Sequence, residues 1–120
     1  MLRVLYVEDD PVNALVVEEL LASRTGLQLT VVEDGAAAMQ VAIAAPPDLL
    51  LLDHQLPDTS GPALLERLRQ AGVHAPAWLL SAHRLAAPPP GFAACFGKPL
   101  DFAAFLQAVE HFRLAADRGP

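Results

Sequence analysis

The sequence predicts an α/β domain built on one parallel sheet with helices over both faces. Two observations carry the prediction. Short apolar, β-branched runs alternate along the whole chain with segments of helical periodicity. One run, "DLLLLD" from Asp48 to Asp53, is apolar between its two acids, as a strand covered on both faces requires. At 120 residues, 53% of them hydrophobic, the chain is long enough for a single domain with a core of its own.

The elements follow in order. "LRVLYV", Leu2 to Val7, is a buried strand that "EDDP" stops. Asp10 suits a helix cap and Pro11 a first helical turn. Leu15, Val16, Glu19 and Leu20 then recur at helical spacing, and Gly26 closes that helix. Leu27 to Glu33 alternates and forms the second strand. "DGAAAMQVAIAA" is helical, with Ala38, Val41, Ala42 and Ala45 on one face, and Pro46-Pro47 ends it. Asp48 to Asp53 is the third strand and "HQLPDTSG" a loop. Gly61 to Ala71 is a helix with Leu64, Leu65 and Leu68 inward. "APAWLLS" is a fourth strand ending at Ser81.

There the alternation breaks. "AHRLAAPPPGF" stands where a helix is due, and three consecutive prolines cannot sit inside one. "AACFG" is a short fifth strand. Asp101 caps a last helix whose Phe102, Phe105, Leu106, Val109 and Phe112 make an amphipathic stripe.

Composition excludes several function classes. A formal charge of −6 argues against a nucleic-acid footprint, so any DNA-binding output belongs to a separate domain. No apolar run reaches membrane-spanning length, and the first ten residues lack the order of a signal peptide. A single cysteine allows no internal disulfide and fits a cytoplasmic setting. No cysteine or histidine pair has zinc spacing.

Parallel strands place all their C-termini along one edge, where open α/β sheets bind ligands. Five strand ends bring Glu8-Asp9-Asp10, Glu33-Asp34, Asp53, Ser81 and Lys98 to that edge. Clustered carboxylates repel, and a hard divalent cation relieves them; magnesium takes oxygen ligands and one or two carboxylates. Asp53 stands where a carboxylate can attack a phosphoryl group. Ser81 offers a hydroxyl and Lys98, the one lysine of the chain, a mobile ammonium. Taken singly, each residue has a plainer role: a cap, a loop serine, a solvated charge.

The motifs "VLYVEDDPVN", "DLLLLDHQLPDTSG", "LLSAH" and "GKPLD" together resemble a response-regulator receiver domain, the phosphoacceptor of two-component signalling, over positions 1–120. The resemblance implies a flavodoxin-like, doubly wound five-stranded parallel sheet of order 2-1-3-4-5. It implies that Asp53 accepts a phosphoryl group from a histidine kinase or histidine phosphotransfer protein, with Mg2+ as cofactor. Glu8, Asp9, Asp53 and the carbonyl of Gln55 would hold the metal, and Ser81 and Lys98 would bind the phosphoryl oxygens. Pro99 falls where a cis peptide is common, and Gln55 and His83 where access of hydrolytic water is tuned. The resemblance implies no enzymatic activity beyond self-phosphorylation and slow autodephosphorylation, with output by protein contact or through a fused kinase or effector domain.

Two departures stand out. Cys95 replaces the usual aromatic residue three positions before the lysine, and Phe96 should face the opposite side. The Ser81-to-Lys98 span is short, so the fourth helix, due between the fourth and fifth strands, is missing or much reduced and the output atypical. These features leave a second reading, a pseudo-receiver that acts by phosphorylation-independent protein contact. A third, a small magnesium phosphohydrolase, is opposed by Gln55, where such enzymes carry an acid. His54, His74 and His111 read as surface or partly packed, Tyr6 and Trp78 as packing, and Cys95 as a small core residue. Asn13 resembles receivers of hybrid kinases.

Overall fold

The computed structural model describes residues 1–83 and 85–117. Five strands form the predicted parallel sheet: β1 (Leu2–Val7), β2 (Leu27–Val32), β3 (Leu49–Asp53), β4 (Ala77–Ser81) and β5 (Ala94–Gly97), in the order β2-β1-β3-β4-β5. The helices among the described residues are α1 (Pro11–Ala22), α2 (Gly35–Ala44), α3 (Gly61–Gln70) and α4 (Phe102–Asp117). This is the doubly wound, flavodoxin-like arrangement. The expected range 1–120 extends three positions beyond the described residues.

Register follows from side-chain period. β3 and β4 are buried at every position, so they sit in the middle with cover on both sides. Alternate residues feed two separate cores. Leu5, Val7, Leu50, Leu52 and Leu79 face α2 and α3, with Leu64, Leu65 and Leu68. Val4, Tyr6, Leu51, Trp78 and Leu80 face α1 and α4, with Phe105 and Val109. Phe96 joins the second core and Cys95 the first, the opposed orientation that strand pleat demands.

Three sequence expectations are corrected. In α1 the buried positions are Ala14, Val17 and Leu21, and Leu15 is 56% exposed. That helix is apolar on nearly all sides, so spacing alone does not select the inward face. It also ends at Ala22 with Ser23 as its cap; Gly26 instead turns the chain into β2 at φ 81°. In α2, Ala38 and Ala42 are buried as expected but Ala45 is exposed, because it lies past the helix end.

Among the described residues no helix lies between β4 and β5. The chain crosses the sheet edge as a loop through Pro88-Pro89-Pro90 and a turn at Gly91, φ 89°. Phe92, buried, and Leu85, half-buried, pack on the first core where a helix would present its inward face. The loop leaves a cavity beside β5 lined by His83, Leu85 and Cys95.

Candidate functional site

The C-terminal edge gathers four of the five predicted strand ends. β1 runs into Glu8 and Asp9, β3 ends at Asp53, β4 ends at Ser81 and β5 runs into Lys98. Strand pairing fixes these positions. Asp53 pairs with Leu80, Ser81 pairs with Gly97, and the Lys98 N–H donates to the Ser81 carbonyl at 2.8 Å. The Lys98–Pro99 peptide is cis. Glu33 and Asp34 do not join the site: β2 is the outer strand, and Asp34 caps α2 through the Ala37 N–H at 2.8 Å.

Glu8, Asp9 and Asp53 each present a carboxylate oxygen within 4.8 Å of the others. Glu8 and Asp53 are buried and Asp9 is exposed. Lys98 bridges the two buried acids, with Nζ 2.7 Å from Glu8 Oε1 and 2.6 Å from Asp53 Oδ1. The Tyr6 hydroxyl also donates to Glu8 Oε1, at 3.0 Å, and the Asp10 N–H to Oε2, at 3.3 Å. Gln55, Asn13 and His83 line the same open cleft. α3 closes in beneath it: a Cβ on Gly61 would stand 2.6 Å from the Asp53 carbonyl oxygen, so only glycine permits this approach.

The electrostatics divide the pair of buried acids. Burial pushes Asp53 up to about 6; the Lys98 hydrogen bond opposes this and the nearby Glu8 adds to it. For Glu8 burial acts in the same upward sense, but Lys98, Tyr6 and the Asp10 amide outweigh it and hold the carboxyl below its ordinary range. The two directions differ because Glu8 collects three donors while Asp53 depends mainly on one side chain. Burial, then Glu8, raises the Tyr6 hydroxyl far above its usual value, so it stays a donor. Burial acts to lower Lys98, and the bonds to Asp53 and Glu8 overcome it and raise it.

Two participants were not read from the sequence as part of the site. Tyr6 shares a strand face with Glu8 two residues on, and that i, i+2 spacing is the signal for its bond. His54 Nδ1 lies 3.1 Å from Ser81 Oγ. Only the β3–β4 register reveals that neighbourhood.

The family model for the response regulator receiver domain matches residues 4–110. The chain belongs to that family. It is 39% identical over 82 residues to the sensor histidine kinase TmoS of Ectopseudomonas mendocina, a match that covers 67% of this chain and 8% of the kinase. It is 34% identical over 123 residues to the rice two-component response regulator ORR41, covering 96% of this chain and 97% of that protein. The chain thus spans a small part of some relatives and nearly the whole of others. The receiver domain of the Pseudomonas aeruginosa sensor histidine kinase PA1611 superposes with a TM-score of 0.81 at 28% identity, covering 93% of this chain and 97% of that one. That neighbour has a magnesium ion coordinated in its active-site cleft. No helix among the described residues is long and apolar enough to cross a membrane.

Proposed function

We propose that this receiver domain takes a phosphoryl group onto Asp53 from a histidine kinase or histidine phosphotransfer protein and signals by protein contact. The observation that carries this reading is the convergence of Glu8, Asp9 and Asp53, with Lys98 bridging the buried pair. The three hard oxygen donors suit Mg2+. Glu8, Asp9, Asp53 and the Gln55 carbonyl would hold it, and when bound it would offset the acids' mutual repulsion and the charge of the incoming phosphoryl group.

The chain's own residues then have separable tasks. The His54 N–H and Lys98 both bond to Asp53 Oδ1, which leaves Oδ2 as the attacking oxygen. A new Oδ2–phosphorus bond forms as the phosphorus–nitrogen bond of phosphohistidine breaks, and the imidazole departs. Lys98 follows the charge from carboxylate to phosphoryl oxygen, because its compact ammonium sits on a flexible stem. Ser81 donates its hydroxyl to another phosphoryl oxygen. The domain would work in the cytoplasm, alone or fused to a kinase or effector, over the whole range 1–120.

The test is incubation with acetyl phosphate and Mg2+ followed by intact-mass measurement. Wild-type protein gains one phosphoryl group, and Asp53→Asn gains none. An unmodified wild-type mass at saturating donor, with the domain folded, would sink the reading. A second reading, a pseudo-receiver, is favoured by Cys95 in place of an aromatic residue and by the loop between β4 and β5; it expects magnesium binding with no adduct.

A further inference from the structure

Ser81 closes β4 and is 1% exposed. Its hydroxyl has one hydrogen to give and two lone pairs to receive with. The His83 N–H occupies one lone pair at 3.1 Å. A hydroxyl buried this deeply gives its hydrogen to a protein acceptor. His54 Nδ1, at 3.1 Å, stands where it can accept it. The ring is itself held in place. The His54 backbone N–H donates to the Leu80 carbonyl at 2.8 Å, which fixes the main chain that carries the ring, and the imidazole meets the His83 ring edge-on at 6.2 Å.

We propose that His54 is a positioning residue: its imidazole holds the Ser81 hydroxyl in the unphosphorylated domain, so a phosphoryl group on Asp53 must draw the hydroxyl away from that nitrogen. This rests on Asp53 as phosphoacceptor and Ser81 as donor to the phosphoryl group. The hydroxyl hydrogen cannot make a short, straight bond to the imidazole and to a phosphoryl oxygen at once. Either the nitrogen loses its bond when Asp53 is loaded, or the ring changes tautomer and donates from Nδ1 to Oγ. The proposal is the first case, and it makes His54 a brake on loading. The side chain acts only through Ser81.

Beryllofluoride with Mg2+ is the probe, as a non-reactive stand-in for the phosphoryl group, and calorimetric titration reads its affinity. Losing one net hydrogen-bond competitor corresponds to binding about three- to tenfold tighter. His54→Leu shows that gain. His54→Phe shows it as well and keeps a ring against His83, so a poorly folded leucine variant does not end the experiment. His54→Asn retains wild-type affinity, because its carboxamide oxygen takes the place of Nδ1. In a Ser81→Ala background His54→Phe changes nothing, which a merely structural role would not predict. Unchanged affinity in both His54→Leu and His54→Phe, or an equal change without Ser81, overturns the proposal alone. Wild-type protein that neither binds beryllofluoride nor gains mass from acetyl phosphate overturns the phosphoacceptor reading, and this proposal with it.

Discussion

The two faces of the sheet are finished in different ways. Over one, where α1 and α4 lie, α4 presses an aromatic cluster onto β4 and β5: Trp78 meets Phe96 at 5.4 Å, Phe105 at 6.4 Å and Phe112 at 5.8 Å between ring centroids. Over the other, α2 and α3 cover the middle strands, but the β4–β5 margin is roofed by a proline-bearing loop that inserts Phe92 and Leu85. The strand ends remain in register on both sides of this difference. The site therefore depends on strand pairing, and the cover of the outer margin is a separate matter.

Truncating one aromatic on each face tests that contrast most strongly. Phe105→Ala is expected to lose about 4 kcal/mol of stability, since Phe105 is wholly buried and helix α4 cannot collapse into the void. Phe92→Ala should lose about half that, near 2 kcal/mol, because a loop can settle inward. Urea unfolding of both variants gives the comparison. Equal losses would mean that the loop is as rigid a roof as a helix.

The next effect concerns the site and has the opposite sign. Asp53 moves from 3.8 to about 6 on folding. Between those values the folded domain keeps a proton that the unfolded chain has released, so this group's contribution to stability falls as pH rises through the window. Asp53→Asn removes the buried charge. Without metal it should stabilise the domain by about 2 kcal/mol above pH 6 and by almost nothing near pH 4. Thermal melts across that range check it, and a stabilisation independent of pH would contradict the electrostatic cause.

Smallest is the turn. Gly91 has φ 89°, and a Cβ there would lie 3.2 Å from Leu65 Cδ2. Gly91→Ala should lose about 1 kcal/mol and leave phosphoryl uptake intact. A loss of uptake would tie the loop to the chemistry after all.

Much of this was legible in the sequence because the relevant signals are local. Strand runs, the triple proline and Leu64, Leu65 and Leu68 in α3 depend on period and backbone sterics, and the structure bears them out. The parallel strands then delivered Glu8, Asp9, Asp53, Ser81 and Lys98 to one edge. What escaped was directional. The inward side of α1 is set by packing, because apolar residues lie on nearly all of its sides. Asp58 accepts from Gly35 and Ala36 at 2.9 and 3.0 Å, joining the loop after β3 to the start of α2 across a gap that no periodicity reports. His54 and Ser81 become neighbours only once β3 and β4 are paired.

The bond from the Lys98 N–H to the Ser81 carbonyl has a practical corollary. With Trp78 beside Ala94, Ser81 beside Gly97 and this bond beyond them, β4 and β5 are locked together along their length, so the residues between Ser81 and Ala94 behave as a handle on a fixed frame. Foreign peptide spliced into the Pro88–Pro90 tract would add closure entropy that grows only with the logarithm of its length. A protein engineer can thus treat this crossover as a cassette, swapping recognition sequences in and out while the aspartate, serine and lysine stay where they are.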